Sequence, residues 1–361
     1  MTYCVAWKSR NNAFLIADTA MTTNDKREIY KPVKELTSLG TETYKNKNIT
    51  VEEWTLKQFR ISENFIICYA GVIDKAITII QTIKKYYNEA EPLHSFQLAI
   101  DSVREENNKD EVQFLFAFHL KGFIKLYSYN INFDCQIDEI PEDTLIQIGS
   151  LSDKRFDYSD VANRMFKEQI LKMKNPCKQF YQFLAYFQHL ELHDKTLEKY
   201  AGGIYSGLYL NENGAYWNED TSIIIYNRNL SSPSIELLGR INYCFRYNGL
   251  TLFSSFTEQM EFFIDTPNHP IYKFESVREE LNKIHYDFQP KLFIFLAKDF
   301  RSISIIKTNG NNDNIHFLEQ KEEREDATMY TTKYTYNFVR LLKGDPFPKD
   351  FLFNLYWDEI Y

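Results

Sequence analysis

The sequence contains no apolar run long enough to cross a membrane. Its longest runs, Phe65–Ala70 and Leu292–Ala297, are far shorter than the roughly 20 residues that a spanning helix needs. The first residues also lack the charged start and apolar core of a secretory signal. We therefore expect a cytoplasmic protein without membrane contact.

The sequence also lacks an excess of basic charge. Its 42 Lys and Arg residues stand against 50 Asp and Glu residues, which gives a net charge of −8 without a large basic block. Proteins that bind nucleic acid concentrate Lys and Arg on one face, so no nucleic-acid partner is expected.

Closely spaced cysteines are absent as well. The five cysteines are scattered along the chain: Cys4, Cys68, Cys135, Cys177 and Cys244. This spacing favours free, buried thiols in a reducing compartment over a disulfide framework.

The composition is that of a globular protein, with 44% hydrophobic and 25% charged residues. The length of 361 residues suits two domains. The turn-rich stretch Asn227–Ser234 marks a boundary, which predicts one domain over 1–229 and a C-terminal extension of unknown role over 230–361.

The order of the predicted elements is strands, two helices, strands, two helices, strands. This order predicts an α+β fold in which two helical layers cover two sheets, a four-layer sandwich. Two apolar segments around Asn11 and Asn12 predict an N-terminal β-hairpin, and the polar residues 24–48 predict a long loop. Helices are predicted over 75–88, 93–106, 158–173, 177–198 and near 274–285, with an acidic helix-like stretch at 319–326.

Thr2 is the first candidate for chemistry, because methionine aminopeptidases remove Met1 before a small residue. The new N-terminal residue then carries a hydroxyl and a free α-amine, which is a nucleophile with a built-in base. The pKa of such an amine is about 7.7–8.0, which suits general-base catalysis near neutral pH.

The sequence from Thr2 to Thr22 resembles the start of mature proteasome β-subunits and of the bacterial heat-shock-locus peptidase, which are N-terminal-nucleophile (Ntn) hydrolases. In that family an Asp follows the nucleophile by sixteen residues, as Asp18 does here, and a Thr follows four residues later, as Thr22 does. Ala20 departs from the family's Arg or Gln.

A second stretch, Leu56–Asp74, resembles the family's strand with the catalytic Lys and its Ala-Gly turn. Lys57 precedes Gly71 by fourteen residues, as in the family. Lys34 is the alternative because it lies at the family's usual distance from the Thr, but no Ala-Gly turn follows it at the right spacing. Choosing Lys57 implies an insertion of about 23 residues within 23–53.

Two weaker matches complete the resemblance. Thr144–Ser150 resembles the strand and Gly-Ser turn that places a Ser beside the N-terminal amine. Glu198–Gly203 resembles the family's Asp-x-x-Ser-Gly-Gly motif, with Glu198 in place of the Asp and Ala201 in place of the Ser. The resemblance covers residues 2–228.

The resemblance implies a threonine-type peptidase or amidohydrolase that needs no metal or organic cofactor. Thr2 would attack the carbonyl, Lys57 paired with Asp18 would activate it, and the Gly71 N–H would bind the oxyanion. Ser150 would orient the amine, and Glu198 would support it. The implied partners are a polypeptide or amide substrate, further copies of the chain and an ATP-driven unfoldase.

Two other functions stay open at the level of sequence. The chain could be a non-catalytic binding or assembly module of the same fold, or a hydrolase of small amides. A metal site at His189 and His193, four residues apart on a predicted helix, lacks a clear third ligand.

Overall fold

The computed structural model of the chain is a mixed α and β structure in which antiparallel sheets predominate. It describes residues 2–24, 37, 39, 44–46, 49–53, 55–104, 112–130, 136–152, 157–193, 196–228, 235–246, 249–254, 260–264, 290–298, 303–308 and 315–317. The predicted mixture of helices and strands is confirmed, and the described part is richer in strands than expected. None of its described helices is long and apolar enough to cross a membrane.

The first sheet is built around the predicted N-terminal hairpin, which the structure confirms. Strands β1 (Tyr3–Ser9) and β2 (Asn12–Ala17) pair antiparallel. Arg10 and Asn11 between them have φ of 49° and 54°, as a two-residue hairpin turn requires. The sheet has the order β11-β1-β2-β12-β13. Its other strands are β11 (Ile146–Gly149), β12 (Ser206–Asn211) and β13 (Gly214–Trp217).

The second sheet has five antiparallel strands in the order β10-β9-β8-β7-β6. They are β6 (Gln58–Ser62), β7 (Phe65–Gly71), β8 (Val112–Leu120), β9 (Phe123–Asn130) and β10 (Ile137–Glu139). Helices α1 (Ile73–Tyr86) and α2 (Pro92–Arg104) connect β7 to β8.

The side chains of the second sheet alternate between its two faces, and each face contributes to a different hydrophobic core. In β7, Phe65, Ile67 and Tyr69 pack with α1 and α2, whereas Ile66 and Cys68 pack with residues of the first sheet. Successive side chains of a strand point to opposite faces, so both faces of β7 are buried. Many side chains between the two sheets are small; they include Cys4, Ala6, Ala13, Ala17, Ala70, Ala117 and Ala215.

The other face of the first sheet packs against helices α3 (Asp157–Met165) and α4 (Pro176–His193). Trp7 stacks on Phe14 with ring centroids 4.8 Å apart, and Phe14 stacks on Phe180 at 5.6 Å. The helix predicted over 158–173 ends in a π-helical turn, and the one predicted over 177–198 divides into α4 and a 3-10 helix over Thr196–Lys199.

A third sheet of seven strands has the order β17-β16-β15-β14-β18-β19-β20. Its strands are β14 (Thr221–Arg228), β15 (Ile235–Arg246), β16 (Gly249–Ser254), β17 (Met260–Ile264), β18 (Leu292–Ala297), β19 (Ile303–Thr308) and β20 (Ile315–Phe317). Strand β14 pairs with β15 and runs parallel to β18, so this sheet begins before the boundary predicted near residue 230. The helices predicted near 274–285 and 319–326 lie outside the described residues.

Part of the segment predicted to be a loop over 24–48 is strand instead. Strands β3 (Ala20–Asn24), β4 (Tyr44–Asn46) and β5 (Ile49–Glu53) form a small antiparallel sheet in the order β3-β5-β4. The prediction of a loop was therefore wrong at Asn24 and at Tyr44–Asn46. Strand pairing satisfies their backbone groups, and the buried Val51 packs with Ala20 and Leu197. The polar composition of residues 24–48 gave no apolar pattern that would predict a strand.

Candidate functional site

Thr2 lies immediately before β1 and is only 1% exposed. Its carbonyl oxygen accepts a hydrogen bond from the Ser150 N–H at 2.7 Å. Gly149 has φ of 93°, and a Cβ at that position would overlap the Thr2 carbonyl. The Gly-Ser turn therefore lies directly against Thr2, and only glycine permits this approach.

Asp18 is placed beside the same peptide by the pairing of β1 with β2. The Asp18 N–H donates to the Tyr3 carbonyl at 3.1 Å, and the Tyr3 N–H donates to Asp18 Oδ1 at 3.0 Å. The carboxylate thus binds the first amide after Thr2. Because the hairpin fixes this register, the spacing of sixteen residues between Thr2 and Asp18 translates into proximity.

Lys57 forms an ion pair with Asp18, with Nζ 2.5 Å from Oδ1 and neither side chain exposed. The Gly202 N–H donates to the other carboxylate oxygen, Oδ2, at 2.7 Å. Three donors therefore compensate Asp18 for the loss of water, as a buried charge requires. The alternative lysine, Lys34, lies outside the described residues.

Gly71 ends β7 on the side of the Gly-Ser turn. A Cβ added at Gly149 would lie 3.3 Å from the Ala70 Cβ, so the two turns are in contact. Gly71 has φ of 112° and is partly exposed, which is a backbone conformation that favours glycine. Thr2, Asp18, Lys57, Gly71 and Ser150 are thus gathered at one end of the two facing sheets.

Glu198 is not part of this group. Its 3-10 helix turns Thr196 and Leu197 inward, and Glu198 is exposed. The segment 201–203 contributes through the backbone instead, because it is the Gly202 N–H that binds Asp18. The resemblance pointed to residues 198–203, and in the structure it is the Gly202 backbone rather than the Glu198 side chain that contacts Asp18.

Three further residues support the site, and no sequence signal singled them out. Gln113 on β8 accepts a hydrogen bond from the Gly149 N–H at 3.0 Å. The buried Glu53 accepts one from the Ile204 N–H at 2.6 Å. Glu191 on α4 is 2% exposed and lies against Gly202, where an added Cβ would overlap its carboxylate.

Cys4 carries a buried thiol two residues after Thr2. Burial raises the pKa of Cys4 well above its ordinary value, and a hydrogen bond with Cys68 raises it further. A neutral buried thiol is a poor nucleophile, so Cys4 is not a candidate for nucleophilic chemistry. The described cysteines Cys4, Cys68, Cys177 and Cys244 are all free, as predicted; Cys135 lies outside the described residues.

His189 and His193 contact each other on α4, with their Nε2 atoms 3.1 Å apart. Across the described part of the chain, no group of three or more potential metal ligands is found. The spacing of the two nitrogens is accounted for by a hydrogen bond between a donor and an acceptor tautomer.

Comparisons with family models and with curated proteins gave no match to this chain.

Proposed function

We propose that the chain is a threonine-type Ntn hydrolase that cleaves a peptide or amide bond, with Thr2 as the nucleophile after removal of Met1. The observation that carries the proposal is the fully buried Lys57–Asp18 pair, whose carboxylate also binds the amide that follows Thr2. A charged pair without solvent contact is costly to fold, and we infer that the chain retains it for a role beside Thr2.

The packing of the chain supports the finer fold that the resemblance implies. Two sheets face each other across a layer of small side chains, and a pair of helices covers the outer face of each. We therefore propose that the first domain is a four-layer αββα Ntn sandwich, and that β4 and β5, which form the small sheet together with β3, belong to an insertion in it.

In the proposed reaction, Thr2 Oγ1 attacks the carbonyl carbon and passes its proton to the Thr2 amine. The ammonium of Lys57 favours the neutral amine, because nearby positive charge lowers an amine pKa. The Gly71 N–H stabilises the oxyanion, a contribution that is typically about 10²–10³ in rate. The amine returns the proton to the leaving group, and water then hydrolyses the ester on Thr2.

The burial of Thr2 bears on this mechanism. Thr2 is 1% exposed, and in a chain that carries Met1 its nitrogen is an amide that cannot act as the base. We therefore expect only the processed chain, with a free amine at Thr2, to react.

Intact-mass spectrometry with an electrophile that bridges a hydroxyl and an α-amine tests the proposal. The native protein should lack Met1 and gain one adduct. Thr2→Ala is the matched control, because Ala also permits removal of Met1 but has no hydroxyl, and it should gain none. A native chain that retains Met1, or equal labelling of Thr2→Ala, contradicts the proposal.

The second candidate is a binding or assembly module that has lost catalysis. Ala201 in place of the family's Ser and the exposure of Glu198 favour it. This candidate predicts a processed chain that neither labels nor hydrolyses amides. Small-amide specificity, homo-oligomers and an ATP-driven partner are further proposals that rest on the resemblance alone.

A further inference from the structure

Glu53 is a buried carboxylate for which the proposed mechanism has no role. It ends β5, pairs with Ala20 across the small sheet and is 2% exposed. Its Oε1 accepts a hydrogen bond from the Ile204 N–H at 2.6 Å and lies 3.1 Å from the Thr19 hydroxyl. A buried acid with such contacts organises the groups that donate to it.

The two donors to Glu53 Oε1, the Thr19 hydroxyl and the Ile204 N–H, belong to segments that contact the Asp18–Lys57 pair. Thr19 follows Asp18, and its N–H donates to the Gly202 carbonyl at 3.2 Å. The Gly202 N–H in turn donates to Asp18 Oδ2 at 2.7 Å. Glu53 therefore contacts both segments that hold the Asp18 carboxylate.

The segment of Glu53 leads directly to Lys57. The Thr55 N–H donates to the Thr19 carbonyl at 3.1 Å, so Glu53 and residues 55–57 lie alongside residues 18–20. Asp18 contacts Lys57 at one end of these two adjacent segments, and Ala20 pairs with Glu53 at the other end. We expect a displacement of Glu53 to reach Lys57, because both residues are buried and Thr55 between them is hydrogen-bonded to Thr19.

The Glu53 side chain has little freedom to turn. Gly203 has φ of 79°, and a Cβ there would lie 3.0 Å from Glu53 Cγ and 3.1 Å from Cδ. The carboxylate is thus packed flat against the backbone of residue 203.

We propose that Glu53 is a positioning residue that holds residues 18–20, 55–57 and 202–204 together and so directs the Asp18–Lys57 pair at Thr2. The inference rests on the proposed function. It means that the insertion supplies the supporting carboxylate that the sequence assigned to Glu198.

The test compares native protein with Glu53→Ala, Glu53→Gln and a stability control, Ile100→Ala. Gln keeps an oxygen that can accept from Ile204 N and Thr19 Oγ1, whereas Ala leaves both donors without it. Ile100 is buried in the core of α1 and α2, away from the site. The readouts are the rate of adduct formation on Thr2 across pH, and the melting temperature of each variant.

Glu53→Ala should slow labelling by about 10- to 100-fold, since small displacements of catalytic groups have effects of this size. The midpoint of its pH profile should rise, because a displaced Lys57 lowers the amine pKa less. Glu53→Gln should restore the native profile. Ile100→Ala should melt earlier yet label at the native rate.

The outcomes separate this inference from the proposed function. Native labelling rate and pH midpoint in Glu53→Ala overturn the role of Glu53 while Thr2 chemistry stands. Equal slowing in Glu53→Ala and Ile100→Ala, at similar melting temperatures, also overturns it, since loss of stability then explains the effect. Absence of labelling in processed native protein overturns both proposals.

Discussion

Replacing Lys57 with Met removes one partner of a fully buried ion pair while keeping an unbranched side chain that is one atom shorter. Asp18 then retains only the Tyr3 and Gly202 N–H donors. Leaving a buried charge without its partner costs about 3–5 kcal/mol. We expect Lys57→Met to lower the free energy of unfolding by that amount.

Urea unfolding followed by circular dichroism measures this loss. With a slope of about 3 kcal/mol per molar urea, the midpoint should fall by about 1–2 M. Lys125→Met is the matched control, because Lys125 pairs with Glu139 at the same 2.5 Å but the side chains are 41% and 43% exposed. Exposed pairs contribute up to about 1 kcal/mol, so this midpoint should barely move.

A second substitution tests whether the two charges act together. Asp18→Asn is also destabilising, because both carboxylate oxygens accept hydrogen bonds and an amide offers only one oxygen. The double variant should be more stable than the summed losses predict, by about 1–3 kcal/mol. Additive losses, or equal midpoints for Lys57→Met and Lys125→Met, would refute the reasoning.

Two predictions concern other parts of the structure. Gly149→Ala should destabilise the fold by about 1–3 kcal/mol more than Gly122→Ala in the same urea assay. Both glycines have positive φ, but an added Cβ would overlap the Thr2 carbonyl at Gly149 and would meet nothing within 4 Å at Gly122. Equal losses of stability would contradict the contact between Gly149 and Thr2. Burial raises the pKa of Tyr3, Tyr158 and Tyr205 above the ordinary 10.0. The contribution of these neutral tyrosines to the free energy of unfolding is therefore fully present below pH 10 and is lost as the pH rises above it. For each tyrosine the loss is up to about 1.4 kcal/mol per pH unit. A urea midpoint that does not change between pH 9 and 11.5 would argue against this burial.

Local sequence determined the parts of the fold and site that depend on short-range pairing. A two-residue turn sets the register of β1 and β2, so the position of Asp18 in the chain was sufficient to place it beside Tyr3. The Gly149–Ser150 turn was also predicted from a short stretch of sequence. The glycine is required there because the Thr2 backbone lies too close for a Cβ.

Tertiary structure decided the features that depend on which segments meet. Strand β14 belongs with strands after the predicted boundary because it pairs with β18, which is far along the chain. Likewise, Glu198 is exposed and Glu53 is buried. A lone charged residue has no periodic pattern, and its burial depends on donors from distant segments, so only the packed chain could show which carboxylates are buried beside the segments that hold Asp18.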